Sequence, residues 1–285
     1  MSAAFVPGRV GIVSLGLIGG SFAQALHDAG REVYAWNRTE ATVELALIET
    51  IDGRLDDDAI GTCELIILSG YPQMTIEWLA EKSDLIADGA IVIDACGVKR
   101  KICERCFELA AGRPWTFVGC HPMAGLHHSG FAWRSADLFV DAPMVVVPPK
   151  MDDFERLDVL ERIKRLLEPC RFGSYTLATP ETHDRAIAFT SQLAHVVSNA
   201  YIKSPTARDR EGFSGGSYRD LTRVACLNAT MWRELFLDNA DNLSFEIQTI
   251  IEHLQQYKDA IDERDADRLE ALLAEGDRIK REVDG

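Results

Sequence analysis

Val10-Gly11-Ile12-Val13-Ser14-Leu15-Gly16-Leu17-Ile18-Gly19-Gly20-Ser21 reads as an apolar strand that runs into a glycine-rich turn and then a helix. That order has a physical purpose at a dinucleotide site. Glycines let the main chain turn sharply and approach a pyrophosphate closely. The N-terminus of the following helix then offers free N–H donors and a partial positive charge to the anion. Ser14, Gly16, Leu17, Ile18 and Gly19 are therefore the expected cofactor contacts. Ser14 stands where the first glycine of G-x-G-x-x-G belongs, and serine can hold such a turn if its φ stays negative.

Outward from the turn, short apolar runs alternate with helical patterns. Arg9 to Ser14, Glu32 to Trp36, Leu65 to Leu68, Ala90 to Asp94, Phe117 to Cys120, Met144 to Val147 and Ser174 to Leu177 read as strands. Gly19 to Ala29 reads as the first helix. Strands separated by helices point to βαβ units and a mostly parallel sheet covered on both faces. From Glu181 onward no strand pattern remains. Ile187, Leu193 and Val197, then Leu235, Leu243, Ile247, Ile250, Ile251 and Leu254, recur at helical spacing, and Asp262 to Val283 reads as an exposed amphipathic helix. The expected architecture is an α/β domain over residues 1–178 and an all-α domain over 179–285, divided where Thr-Pro interrupts the pattern near Ala178 to Pro180.

The end of the second strand bears on the cofactor. An NAD site usually places Asp or Glu there to hold the ribose hydroxyls. This chain has Asn37-Arg38-Thr39, an amide, a guanidinium and a hydroxyl that can all donate to a 2′-phosphate, so NADP is favoured over NAD.

The bulk properties narrow the class. Of 285 residues, 47% are hydrophobic and 26% charged, which predicts a packed core. A net charge of -15 argues against nucleic acid and against an anionic membrane as partner, and an anionic substrate then needs locally placed cations. No apolar stretch reaches the ~18 residues needed to span a bilayer. The start MSAAFVPGRVGIV does not read as a signal peptide, so the expected location is the cytoplasm. Seven cysteines, an odd and scattered count, read as reduced thiols; Cys103 and Cys106 form one CxxC without the second ligand pair a structural zinc needs.

Gly119-Cys120-His121-Pro122-Met123-Ala124-Gly125 follows an apolar strand, so His121 sits where ligands bind in parallel sheets. Its ordinary pKa near 6.5 suits proton transfer, although on this ground alone a structural histidine is the simpler reading. The combination of motifs says more. GLIGGS, HPMAG, His183-Asp184 followed by Ser191-Gln192-Leu193-Ala194-His195, Gly215-Gly216-Ser217-Tyr218-Arg219-Asp220-Leu221-Thr222-Arg223-Val224-Ala225 and Met231-Trp232-Arg233 occur in this order. From Val10 to about Asn242 the chain resembles the prephenate/arogenate dehydrogenase family.

The resemblance implies a Rossmann-type first domain, a helical second domain that forms a homodimer, and a cyclohexadiene carboxylate substrate held between them. The reaction it implies is oxidative decarboxylation in tyrosine biosynthesis, with hydride passed to NAD(P)+. By the same resemblance His121 is the catalytic histidine, His195 lines the substrate site and Arg223 binds a substrate carboxylate, a task suited to its planar fork. Arg219 is expected in a structural ion pair with Asp220 or another acid. His183 and Asp184 are expected to cap and orient the first helix of the second domain rather than act on substrate, while His27 and His253 lack a motif.

Departures are equally specific. Asp94-Ala95-Cys96-Gly97-Val98-Lys99 matches a family run D-x-G-S-V-K with Gly97 at the serine that orients the histidine. Losing that hydrogen bond costs about 1–3 kcal/mol unless something replaces it. Leu126-His127-His128 follows HPMAG, and His127 is a candidate for recognising the substrate side chain. Gln192 and Ala194 replace a usual His and Pro. Two other readings are a hydroxyacid or imine reductase, which the missing glycine-flanked lysine opposes, and a nucleotide sensor that has lost catalysis, for which Gly97 is the suspicious feature.

Overall fold

The computed structural model describes residues 5–126 and 128–285. Eight strands form one sheet in the order β3-β2-β1-β4-β5-β6-β7-β8. They are β1 (Val6–Val13), β2 (Val33–Trp36), β3 (Gly53–Arg54), β4 (Cys63–Leu68), β5 (Ile91–Asp94), β6 (Thr116–Pro122), β7 (Pro143–Val147) and β8 (Ser174–Leu177). Every pairing is parallel except β6 with β7, where His121 faces Val145. Helices α1 (Leu17–Asp28), α2 (Glu40–Ala46), α3 (Asp57–Ile60), α4 (Pro72–Lys82), α5 (Arg100–Ala110) and α6 (Asp153–Leu166) connect them.

The central strands show why the sheet is covered on both sides. All six residues of β4 and all four of β5 are buried. Alternate residues serve opposite layers, as the two-residue period of a strand requires. Ile67 and Ile93 pack with Phe22 and Leu26 of α1 and Ile163 of α6. Ile66 and Val92 face the other way, against Leu79 of α4 and Ile102 of α5. The chain turns outward from β1 to β3 and then returns to β4 on the other side of β1, so the switch point lies between β1 and β4. Ligands bind outside the carboxyl ends of strands at such a point.

Beyond β8 the chain is helical: α7 (Pro180–Ile187), a π-helical turn (Ala188–Leu193), α8 (Ala194–Tyr201), α9 (Gly216–Thr222), α10 (Ala229–Asp238), α11 (Ala240–Asp262) and α12 (Ala266–Asp284). Thr179 starts α7 by accepting the Thr182 N–H, with Pro180 at the first turn, where its missing N–H costs nothing. The last two helices form a hairpin in which the Tyr257 hydroxyl donates to Leu272 O at 3.1 Å. No described helix is long and apolar enough to cross a membrane.

The expected strands are all present, and the additional β3 is two residues long with no apolar run to announce it. The expectation for Ser14 is corrected: its φ is +78°, in the left-handed region that glycine occupies without cost.

Candidate active site

The glycine turn is held from two directions. Ser69, just past β4, has its hydroxyl 2.9 Å from Val13 O and 2.8 Å from Ser14 O. Asn37 Oδ1 accepts the Leu15 N–H at 3.0 Å, and Asn37 Nδ2 donates to Thr39 O at 3.2 Å. The turn and the end of β2 are thereby tied together, and the Asn37 amide is engaged within the protein. A Cβ on Gly19 would collide with Ser14 O and Ser69 Oγ, whereas one on Gly16 would meet nothing within 4 Å among the described residues. Helix α1 therefore begins against open space, with no side chain capping it. A pyrophosphate fits that cradle: the first-turn N–H groups are unoccupied and point where the anion would lie. Arg38 and Thr39 are exposed beside it, and Arg38 has no ion pair among the described residues.

At the carboxyl ends of β5 and β6 a second group of side chains meets. His121 Nδ1 is 2.9 Å from His183 Nε2, and His183 Nδ1 is 2.7 Å from Asp184 Oδ1. The carboxylate can only accept, so His183 carries its proton on Nδ1 and its Nε2 accepts from His121 Nδ1–H. In the neutral chain, His121 Nε2 is left with a lone pair. Asp184 also accepts the main-chain N–H of Lys99 at 2.7 Å and of Arg100 at 2.9 Å, at the start of α5. Burial alone would push the Asp184 carboxyl up, but its hydrogen bonds from His183 and those two N–H groups hold it below the usual carboxylate range.

Burial is the largest influence on His121, and with the neighbouring His183 and Lys99 it keeps the imidazole well below its ordinary value. His183 is lowered as well, chiefly by burial, against the opposing pull of Asp184. The expectation that His183 and Asp184 cap the first helix of the second domain is thereby corrected, since Thr179 caps that helix. Asp184 caps α5 of the first domain rather than the helix that carries it, and His183 touches His121 directly. An adjacent His-Asp pair near a helix start was visible in the sequence, but the partner is 62 positions away.

Gly97 lies in the same place. A Cβ built on it would be 4.0 Å from His121 Nε2 and 3.5 Å from Leu235 of α10. Further along, His195 Nδ1–H donates to Ser191 O at 2.9 Å, leaving Nε2 as the acceptor of the neutral ring. The ring packs on Trp232, with centroids 4.0 Å apart. Burial lowers the His195 pKa, and the charge of Arg223 lowers it further against the Ser191 carbonyl. Arg223 is exposed at the end of α9 without an ion pair among the described residues. Arg219 likewise lacks the expected ion pair there. Gln192 is buried, donating to Leu235 O at 3.0 Å and accepting from Asn239 at 2.8 Å, so it holds α10 to the π turn. His127 lies outside the described residues.

All seven cysteines are free thiols and only Cys226 is exposed, so the CxxC at Cys103 and Cys106 is core packing. No cluster of three His, Cys, Asp or Glu able to hold a metal occurs among the described residues.

Comparison with known proteins agrees with this geometry. Residues 22–173 match the nucleotide-binding domain of prephenate dehydrogenase, and residues 179–275 match its dimerization domain. A prephenate dehydrogenase of Bacillus subtilis is 27% identical over 269 residues, covering 90% of this chain and 71% of the relative. The structure of Synechocystis arogenate dehydrogenase superposes with a TM-score of 0.77 at 30% identity, covering 96% of this chain and 99% of that one. The structure of prephenate dehydrogenase from A. aeolicus in complex with hydroxyphenyl propionate and NAD+ superposes with a TM-score of 0.82 at 26% identity, covering 99% of each chain.

Proposed function

The chain belongs to the prephenate dehydrogenase family, and on that premise we propose that it oxidatively decarboxylates prephenate to 4-hydroxyphenylpyruvate, or arogenate to tyrosine. The observation that carries this reading is the Asp184–His183–His121 chain, which presents a basic nitrogen at the carboxyl end of β6, on the same edge of the sheet as the glycine turn after β1. The bound nicotinamide supplies the hydride acceptor. His121 Nε2 takes the proton of the ring hydroxyl, and His183 with Asp184 steadies the imidazolium that results. Oxidation at that ring carbon and loss of the ring carboxylate as carbon dioxide leave an aromatic ring, whose phenol oxygen recovers a proton.

Arg223 is the cation for a substrate carboxylate, supported by its exposure and its freedom from ion pairs among the described residues. His195 lines the same pocket with its Nε2 lone pair, and His127 is assigned to the substrate side chain. NADP is the favoured cofactor over NAD, because Arg38 and Thr39 are exposed donors where a carboxylate would repel a 2′-phosphate. The helical domain is assigned to residues 179–285, the assembly to a homodimer and the location to the cytoplasm.

Absorbance at 340 nm tests the reading, with prephenate and arogenate each paired with NAD+ and NADP+. Turnover is expected in at least one pair, falling by a factor of about 100–10,000 in His121→Asn. A folded protein with no turnover in any pair would reject it.

A further inference from the structure

Lys99 has no solvent exposure at all, and its ammonium forms an ion pair with the equally buried Asp94. The Asp94 carboxylate reaches further. Its Oδ1 accepts the N–H of Cys120, immediately before His121, at 2.9 Å. Its Oδ2 accepts the N–H of Cys96, immediately before Gly97, at 2.9 Å. Lys99 also gives its own main-chain N–H to Asp184. One residue thus joins the two carboxylates that fasten the catalytic region from behind: Asp94 holds the strand of His121, and Asp184 holds the ring that His121 leans on.

We propose that Lys99 is a positioning residue for the reaction set out above, on which this inference rests, placing one fixed positive charge behind the His121–His183 pair. A buried ion pair alone adds little over well-packed apolar residues of the same volume, so stability does not account for it. A fixed charge is what an apolar pair cannot supply.

The groups that face the two rings can be named element by element. Asp94 comes from β5, Lys99 from the loop before α5, Arg100 from the start of α5, and Asp184 from α7. Arg100 is taken up by Asp184 and Asp241. The thiols of Cys96, Cys103 and Cys120 are kept protonated by burial. Burial is the largest single influence on Lys99 and weighs against its charge, but Asp94 together with the neighbouring Cys96 and Cys103 turns the balance and keeps the ammonium charged. Its field acts on both imidazoles against protonation, unopposed by Asp94 at His121 and opposed by Asp94 and Asp184 at His183. The consequence is a base that stays neutral, and ready, below the pH at which a free histidine charges.

The test pairs kinetics with a direct view of the rings. In Lys99→Met the acid limb of the kcat/KM profile is expected to move up by about half a pH unit or more, while Lys99→Arg, which keeps the charge, leaves it in place. Thermal melts of both variants separate a lost fold from a lost charge. In wild type, 15N spectra of labelled histidines are expected to show His121 neutral and protonated on Nδ1 well below pH 6.5, and His183 likewise neutral below that pH.

A folded Lys99→Met with an unmoved acid limb overturns the proposal. So does a Lys99→Arg limb that moves up, or a wild-type His121 that titrates near 6.5, and both of these remain decisive if Lys99→Met fails to fold. If neither acid is oxidised with either cofactor, the functional reading falls, and the imidazole titrations of wild type and Lys99→Arg still decide the role of Lys99.

Discussion

At the scale of single residues, Ser14 is the plainest departure from what its position asks. An L-residue in the left-handed region costs about 1–2 kcal/mol, and the Ser69 hydroxyl bonds only main-chain oxygens there, so the Ser14 side chain does nothing among the described residues to offset that cost. Ser14→Gly is expected to raise unfolding free energy by about 0.5–1 kcal/mol after the glycine's own entropy is counted, read by chemical denaturation. Gly97 makes a kinetic prediction. A serine there has room beside Leu235 and brings its hydroxyl toward His121 Nε2, so Gly97→Ser should raise kcat by about 5-fold, the worth of one hydrogen bond. An unchanged kcat would mean that His183 alone suffices to orient the ring. The two lowered imidazoles also predict a pH response of stability. Their folded pKa values lie below the unfolded 6.5, so between those values the unfolded chain binds more protons. Stability is therefore full above 6.5 and falls as the pH drops below it, with a further loss when Asp184 protonates. A melting temperature that is flat from pH 7 to 5 would contradict this. The place of His121 at the end of an apolar strand was legible in the sequence; its link to His183 was not, because nothing local encodes a contact 62 residues long.

At the scale of elements, strands were easy to read where burial on both faces makes a run apolar, as at residues 65–68 and 91–93. Gly53–Arg54 has neither length nor pattern, and its pairing is supplied by β2 alone. The π turn at Ala188–Leu193 was equally hidden, since its residues are ordinary helix formers. What holds it is visible only in three dimensions. Asn239, at the junction of α10 and α11, donates to Asp184 O and to Gln192, and accepts from Arg100. Asn239→Ala leaves these buried groups short of partners and is expected to cost about 2 kcal/mol in denaturant titration, with a larger fractional loss of kcat than of substrate affinity. An equal effect on a variant at a surface asparagine would show that the junction has no special weight.

At the scale of the whole molecule, the sequence conveyed the division into a sheet domain and a helical one, because the hydrophobic period changes at that point from strand-like to helical. How the two meet was beyond it. On α11, Ile251, Leu254 and Ile261 form an exposed apolar stripe one helical face wide. If this stripe is buried between two copies, Leu254→Glu should shift the protein from dimer to monomer mass in light scattering; a wild-type monomer would remove the premise. The arrangement of Asp184 has one more implication. His121 stands on β6, while His183 and Asp184, which fix its tautomer, stand on α7 and are anchored back to the sheet region through the N–H groups of Lys99 and Arg100. The joint acts as an interlock. Any separation of the two would take His183 from His121 and Asp184 from the start of α5 together, so the tautomer of His121 is set only while sheet and helices stay joined.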